Sequence, residues 1–412
     1  MRKVRKWPGI LLAVAVCAIV AATVTVMILH SKNNGCRLKK DARQLPVIHI
    51  STNDVIPWEG KTPCSVTVIA DNDSTIWHGK VKYRGGISAK YAKHSYSLKL
   101  KESRALCGLP ESRTWIINAS YIDKTFMRHK LCYDLFRQMG PYNIAPLCSY
   151  ALVRENGNPQ GLYVVMQRLN EHTLALHEED SAAVIFKEPK IFYPDSKMPK
   201  REHYAENYQG QTYPEFKDED RNNLMDEMRD FLVSTPDQIF FTKVGQTFDL
   251  QNIIDWHLLL LFINGGDNVL KNYYLYRQDS HSPYRIAIWD CDHSFGRDCD
   301  NEKNMLKQLL EDDRNVLLNR MMQSEEYQKA LKKRYHELRK SNIFSYQNIE
   351  QMMQENDPWV RLGLEENLRL WPFDSDNYYD AAGYDDEYAL ILEYVTLSLK
   401  RLDGVFEFTE SH

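Results

Sequence analysis

Asp267 and Asn272 stand five residues apart in Asn264-Gly265-Gly266-Asp267-Asn268-Val269-Leu270-Lys271-Asn272, directly before the apolar run Tyr273 to Tyr276. At that interval an aspartate can orient or deprotonate an acceptor hydroxyl while the asparagine holds a divalent cation, which is the division of labour of phosphoryl transfer. A polar turn from Arg277 to Pro283 and a second apolar run, Tyr284 to Trp289, complete a hairpin that leads straight into Asp290-Cys291-Asp292. Alternation along a strand projects residues 290 and 292 to one face, where two carboxylates converge on a hard, oxygen-seeking cation. Two close carboxylates repel unless a cation or a shared proton compensates, so the pair argues for a metal. A turn rich in Gly and Asn would space Asp267 and Asn272 the same way, and Asp292 could instead cap a helix. The hairpin joining the two motifs favours a magnesium-nucleotide site between Asp267 and Asp292.

Such a site also needs positive charge and free backbone N–H groups for phosphate. Lys82-Tyr83-Arg84-Gly85-Gly86-Ile87-Ser88 and Lys93-His94-Ser95-Tyr96-Ser97-Leu98-Lys99 carry both. Gly85 and Gly86 permit close backbone approach, Arg84 and Ser88 are phosphate donors, and Lys99 lies mid-strand among apolar residues. A basic hairpin with a solvated face is the competing reading of the same residues.

The elements that must position these groups fall in two blocks. Val47 to Ser51, Cys64 to Ala70, Ile76 to Arg84, Ser95 to Lys101 and Trp115 to Asn118 alternate as short strands and predict a twisted antiparallel sheet. A helix is expected from Tyr121 to Met139, stopped by Gly140-Pro141, and Tyr150 to Val153 pairs with Gly161 to Gln167 as a hairpin. Beyond a polar insertion at 187–220, helical patterning covers Glu219 to Ser234, Leu250 to Ile263, Met305 to Lys340, Ile349 to Leu370 and Asp386 to Phe406. The reading is an α+β chain with a β-rich N-lobe at 45–170 and a helical C-lobe at 171–408.

Residues 10–30 contain no charged side chain and follow the basic residues Arg2, Lys3, Arg5 and Lys6. About 20 apolar residues suffice to span a bilayer. These features predict a basic cytoplasmic N-terminus at 1–9, a transmembrane anchor at 10–30, a linker at 31–44, and a main domain outside the cytoplasm. There Cys291 and Cys299 could pair, although buried free thiols explain the cysteines equally well. A net charge of -4 with no basic block beyond the N-terminus argues against nucleic acid as a partner.

In order along the chain, several of these segments resemble the CotH kinase family. Arg84-Gly85-Gly86-Ile87-Ser88 with Ser95 to Leu100 is similar to its Arg-Gly loop and basic strand. Asp123 to Gly140, including Met127-Arg128, resembles its first helix, and Gly161 to Gln167 its Gly-x-Tyr strand. Asp267, Lys271-Asn272-Tyr273 and Trp289-Asp290-Cys291-Asp292 resemble its catalytic and metal motifs. The resemblance implies an atypical protein-kinase-like bilobal fold and ATP-dependent phosphoryl transfer to Ser or Thr of a protein, here one of the cell envelope. It further implies Asp267 as the catalytic residue, Asn272 with Asp290 or Asp292 binding Mg2+ or Mn2+, and a Gln167 backbone that holds adenine. This chain departs from the family in having Gln167 where Glu is frequent and Arg-Gly-Gly-Ile-Ser where Arg-Gly-Asn-Ser is usual. A carboxylate partner for Lys99 is not evident; Asp134 is one candidate. Two other functions compete: a kinase-shaped scaffold without turnover, and a glycosyltransferase using Asp290-Cys291-Asp292 as an Asp-x-Asp metal motif.

Overall fold

The computed structural model describes residues 44–70, 73–197, 211–214, 224–298, 305, 314–373 and 380–409. Seven strands come first: β1 (Val47–Ser51), β2 (Thr62–Ala70), β3 (Asp73–Arg84), β4 (Ser95–Leu106), β5 (Leu109–Asn118), β6 (Cys148–Glu155) and β7 (Asn158–Gln167), with helix α1 (Arg128–Met139) between β5 and β6. They close into a barrel of order β1-β2-β3-β4-β5-β7-β6. The expectation was a twisted antiparallel sheet, without closure. Closure comes from the parallel pairing of β1 with β6, in which Val47 meets Leu152 and Ile50 meets Glu155. Period-two alternation marks an inner face but cannot report which distant strand seals the edge.

Alternation does give the barrel two uses. Inward residues such as Ile50, Val66, Val81, Leu98, Trp115 and Val165 form a core of their own. Outward residues of β5, β6 and β7, among them Ile116, Tyr150, Val164 and Met166, join a second, larger core shared with the helices. That core is organised around α4, after two preceding helices, α2 (Leu224–Val233) and α3 (Asp237–Thr247). Helix α4 (Leu250–Ile263) is capped by Asp249, whose carboxylate accepts the Asn252 N–H, and it ends at the left-handed Asn264 (φ 56°). It is buried almost all round, as a helix without a polar face must be.

A four-stranded sheet packs beside it in the order β11-β10-β8-β9, with β8 (Val184–Lys187), β9 (Gln211–Tyr213), β10 (Tyr273–Arg277) and β11 (Arg285–Ile288). The hairpin β10–β11 is where alternation predicted it. Strand β8, which ends where the expected polar insertion begins, and β9, which lies inside that segment, extend it. Helices α5 (Val316–Met321), α6 (Glu325–Lys340), α7 (Tyr346–Leu370) and α8 (Tyr384–Val405) complete the described chain, and the α+β class is as expected. Helix α1 begins at Arg128, not Tyr121, because Asp123 turns its carboxylate onto the backbone N–H groups of Thr125 and Arg128 and Phe126 is left-handed (φ 58°).

The expected single-pass membrane placement is corrected here. No helix among the described residues is long and apolar enough to cross a membrane. The most apolar one, α4, has 14 residues, about 21 Å against the ~30 Å of a bilayer core, and its apolar surface is used inside the protein. Residues 10–30 lie outside the described residues.

Barrel and helices are joined by polar groups as well. Lys93 is buried, and its ammonium donates to Ala119 O (3.0 Å), Asn367 Oδ1 (2.9 Å) and Leu162 O. It lies over the Tyr163 ring at 4.2 Å. Helix α7 lies close to β7 at glycine 363: a Cβ there would stand 2.9 Å from Leu162 Cδ1 and 3.0 Å from Leu45 Cδ1. Gly363→Val should therefore force α7 away and cost about 1–3 kcal/mol, read as a lower urea midpoint at unchanged slope. An unchanged midpoint would show that the contact yields freely.

Candidate active site

Asp267 opens a short 3-10 turn, Asp267–Val269, that follows the C-terminal end of α4. Its carboxylate lies 3.0 Å from Lys271 Nζ and 3.7 Å from His293 Nδ1, and its side chain is only 17% exposed. Burial by itself would raise this carboxyl, yet His293 and Lys271 outweigh it and hold Asp267 below the ordinary range. Asp267 is thus ionised at neutral pH. His293 shows the opposite balance, because burial would lower the imidazole but Asp292, Asp267 and Asp290 raise it.

Asn272 ends the loop in a left-handed conformation (φ 62°). Its N–H donates to Glu188 Oε1 at 3.3 Å, and its carbonyl accepts the Trp289 N–H at 3.0 Å. This places Asn272 across the hairpin from the residue preceding Asp290. Strand alternation was expected to bring Asp290 and Asp292 to one face. Strand β11 instead stops at Ile288, and a left-handed Asp290 (φ 50°) turns the backbone. Asp292 accepts the His293 N–H at 3.1 Å and caps no helix, since turns follow it. One ligand atom from each of His129, Asp290 and Asp292 lies within 4.8 Å of the others.

Burial and the adjacent Asp292 charge raise the Asp290 carboxyl, against the pull of His129, Arg84 and His293. Because 43% of the Asp290 side chain remains exposed, the carboxylate is enclosed on one side and reachable from the other. The Asp290 and Asp292 carboxylates are the oxygen donors that Mg2+ or Mn2+ prefers, and mutual repulsion of this kind is what a cation relieves.

Two residues that sequence reasoning missed bind the motifs together. Buried Asn268 directs Nδ2 at Trp289 O (2.9 Å), Asn272 O (3.3 Å) and Asp290 O (3.3 Å). Arg128 donates from Nε to Ser294 O at 3.0 Å, just past the carboxylate turn, and its other nitrogens pair with Asp123 and Glu387, each at 2.9 Å. Glu387 in turn pairs with Arg297. Phe295 anchors the same loop, buried edge-on against Phe262 and Tyr394. An Asn beside an Asp in a Gly-rich turn carries no periodic signal; the Arg128 position was legible only as part of a helix.

The glycine loop faces this centre through Arg84, whose guanidinium lies 5.7 Å from the Trp289 ring centroid and acts electrostatically on Asp290. Gly85 is left-handed (φ 149°), and a Cβ on it would stand 2.5 Å from Ser88 Oγ. Gly86 has open space around it, and Ser88 is exposed. Cross-strand register puts Lys99 opposite Lys80 and Thr114, and Lys82 opposite Ser97, all on the outer barrel face. Lys99 is exposed and has no ion pair among the described residues. Asp134 is not its partner, being held by Lys130 at 2.7 Å and by Arg137. Nearby, the Lys61 ammonium is lowered by burial and then by Arg168, Lys82 and Lys99, so these cations share one region. Gln167 precedes Arg168 in this region: it pairs across from the inward Trp115, and its Oε1 and N–H are engaged by Leu147 at 3.3 and 3.1 Å. Cys291 is a free, buried thiol, and Cys299 lies outside the described residues.

A model of the family described as CotH kinase protein matches residues 81–401. The chain belongs to the CotH kinase family. Inner spore coat protein H of Bacillus subtilis (strain 168) is 25% identical to it over 323 residues, 76% of this chain and 83% of that protein. A coat-protein relative gives no support to membrane anchoring, in line with the correction above. The matched region of this CotH-family chain begins at Val81, just before the glycine loop, and includes every candidate site residue.

The Asp290 environment has a direct consequence for stability. A carboxyl raised by folding opposes folding once it ionises. Asp290→Asn should stabilise the metal-free chain at pH 7, and the gain should shrink as the pH falls through the raised folded-state pKa and vanish below about 4, where the carboxyl is protonated in either state. Thermal unfolding between pH 3 and 8 measures this; a gain independent of pH would contradict the electrostatic account.

Proposed function

We propose that this CotH-family protein transfers the γ-phosphoryl group of ATP to a Ser or Thr hydroxyl of a protein. Coat-layer proteins are the acceptors to try first, given the description of the B. subtilis relative. One observation carries the reading. Asn268 binds the turn bearing Asp267 to the turn bearing Asp290 and Asp292, with Arg84 of the glycine loop beside them.

In this reading the acceptor oxygen attacks the γ-phosphorus, the bond from phosphorus to the ADP oxygen breaks, and the hydroxyl proton passes to Asp267. Its low proton affinity suits an orienting carboxylate and a weak, transient base. Lys271 and His293 keep Asp267 ionised and aimed. Arg84, Lys99, Ser88 and the backbone at Gly85 and Gly86 supply donors and positive charge for the phosphates, and the Gln167 segment borders the adenine. Asp290, Asp292 and Asn272 would hold Mg2+ or Mn2+, which supplies charge neutralisation at the β- and γ-phosphates.

Purified protein, radiolabelled ATP and candidate acceptors, with mass spectrometry of the products, test this reading. Asp267→Ala should leave ATP binding within about threefold while lowering turnover by roughly 10²–10⁴-fold. Asp290→Asn combined with Asp292→Asn should abolish metal-dependent ATP binding. Equal loss of binding in both variants refutes the division of roles. Binding of a UDP-sugar in place of ATP would point to glycosyl transfer instead, and failure of either nucleotide to raise the melting temperature would leave a scaffold.

A further inference from the structure

Both backbone N–H groups at the centre of Asp290-Cys291-Asp292 are taken by one face of α1. The Asp290 N–H donates to Tyr133 Oη at 2.9 Å, and the Cys291 N–H donates to His129 Nδ1 at 3.0 Å. His129 and Tyr133 stand four residues apart, one helical turn. Their rings stack with centroids 5.8 Å apart and planes 8° from parallel, and both are fully enclosed, at 1% and 0% exposure. Between them, Cys132 Sγ lies 3.5 Å from Ser294 Oγ, and that hydroxyl donates to Cys291 O at 2.7 Å. The turn so gripped contains the left-handed Asp290, a conformation that a residue with a Cβ keeps only when its surroundings impose it.

His129 Nε2 is 3.6 Å from Asp290 Oδ1, which makes the ring look like a third metal ligand. Its hydrogen bonding argues otherwise. Nε2 can coordinate a cation only if the ring proton sits on Nδ1, but Nδ1 faces a peptide N–H at 3.0 Å, and a peptide cannot turn away. The neutral ring therefore keeps its proton on Nε2. The Asn118 amide nitrogen lies 3.0 Å from Nε2, so a proton there requires that amide to turn and give up the Ser120 N–H its Oδ1 accepts at 2.9 Å, a side-chain rearrangement where the Cys291 peptide allows none.

We propose that His129 and Tyr133 are positioning residues that hold the Asp290–Cys291 backbone so that both carboxylates meet one divalent cation through oxygen alone. This rests on the metal reading of Asp290 and Asp292 given above. His129 acts through the backbone, without touching the ion.

The test uses the full chain with Mn2+ as the sole added ligand. Calorimetry gives affinity, and electron spin-echo modulation reports any directly coordinated nitrogen. Asn at position 129 can place Oδ1 where Nδ1 was, whereas Gln reaches only toward the Nε2 position. Tyr133→Phe and His129→Gln should each weaken Mn2+ by about 10–100-fold, His129→Asn should recover most of the affinity, and the wild type should show no bound nitrogen. Metal-free melting curves identify any variant that does not fold, and Tyr133→Phe, which keeps the ring, decides the matter if the His129 variants fail. Nitrogen modulation in the wild type, or wild-type affinity in both His129→Gln and Tyr133→Phe, overturns the proposal. Absence of saturable Mn2+ binding in the wild type, or its persistence when Asp290 and Asp292 are both Asn, identifies failure of the underlying metal reading instead.

Discussion

Two carboxylates separated by one residue stay close only if the backbone between them is held against their repulsion. In this protein the hold is a set of hydrogen bonds to the peptide groups themselves. Tyr133 and His129 take the N–H groups of Asp290 and Cys291. Asn268 donates to Trp289 O and Asp290 O, and Ser294 to Cys291 O. These partners come from three separate segments, so the turn exists only while α1, the Asp267 loop and the chain after Asp292 remain in place. Buried backbone groups must find partners somewhere, and here finding them also aims the site.

The same segments are tied to one another by charge. Arg128 reaches Asp123 before its own helix, Glu387 on α8 and the carbonyl of Ser294, while Arg297 and Lys124 share Asp380. A buried ionic set of this kind adds little net stability compared with apolar packing, but loss of one member strands the others. Its effect is to define one arrangement of α1, α8 and the loop at 290–297. Phe295 adds an apolar anchor to that loop, fitted between Phe262 and Tyr394.

The barrel contributes a surface, and its interior is closed. Inward residues fill it with side chains, so phosphate-binding groups can sit only on the outer face or on the loops. Register places Lys82, Arg84 and Lys99 on that outer face, the face by which β5, β6 and β7 meet the helical core. Glycine at 85 lets Ser88 fold back against the loop, and glycine at 363 lets α7 lie against β7. Both are close approaches that a side chain would crowd.

Much of this was legible in the residues themselves. Alternation located β1, β10 and β11, the apolar run at 250–263 marked a central helix, and the types and intervals of Asp267, Asn272, Asp290 and Asp292 suggested carboxylate and metal chemistry. These are local properties, written in neighbours two to five positions apart. Barrel closure, the left-handed turn at Asp290 and the His129, Tyr133 and Asn268 bonds depend on segments between about 20 and 160 residues away, and the pairing of Arg128 with Glu387 joins residues 259 apart. No local pattern encodes such partners, because each is selected by which backbone groups the folded chain leaves needing one. The sequence by itself determined the α+β order and the chemistry available; tertiary structure decided which charges meet, which are neutralised, and which peptide bonds hold them there.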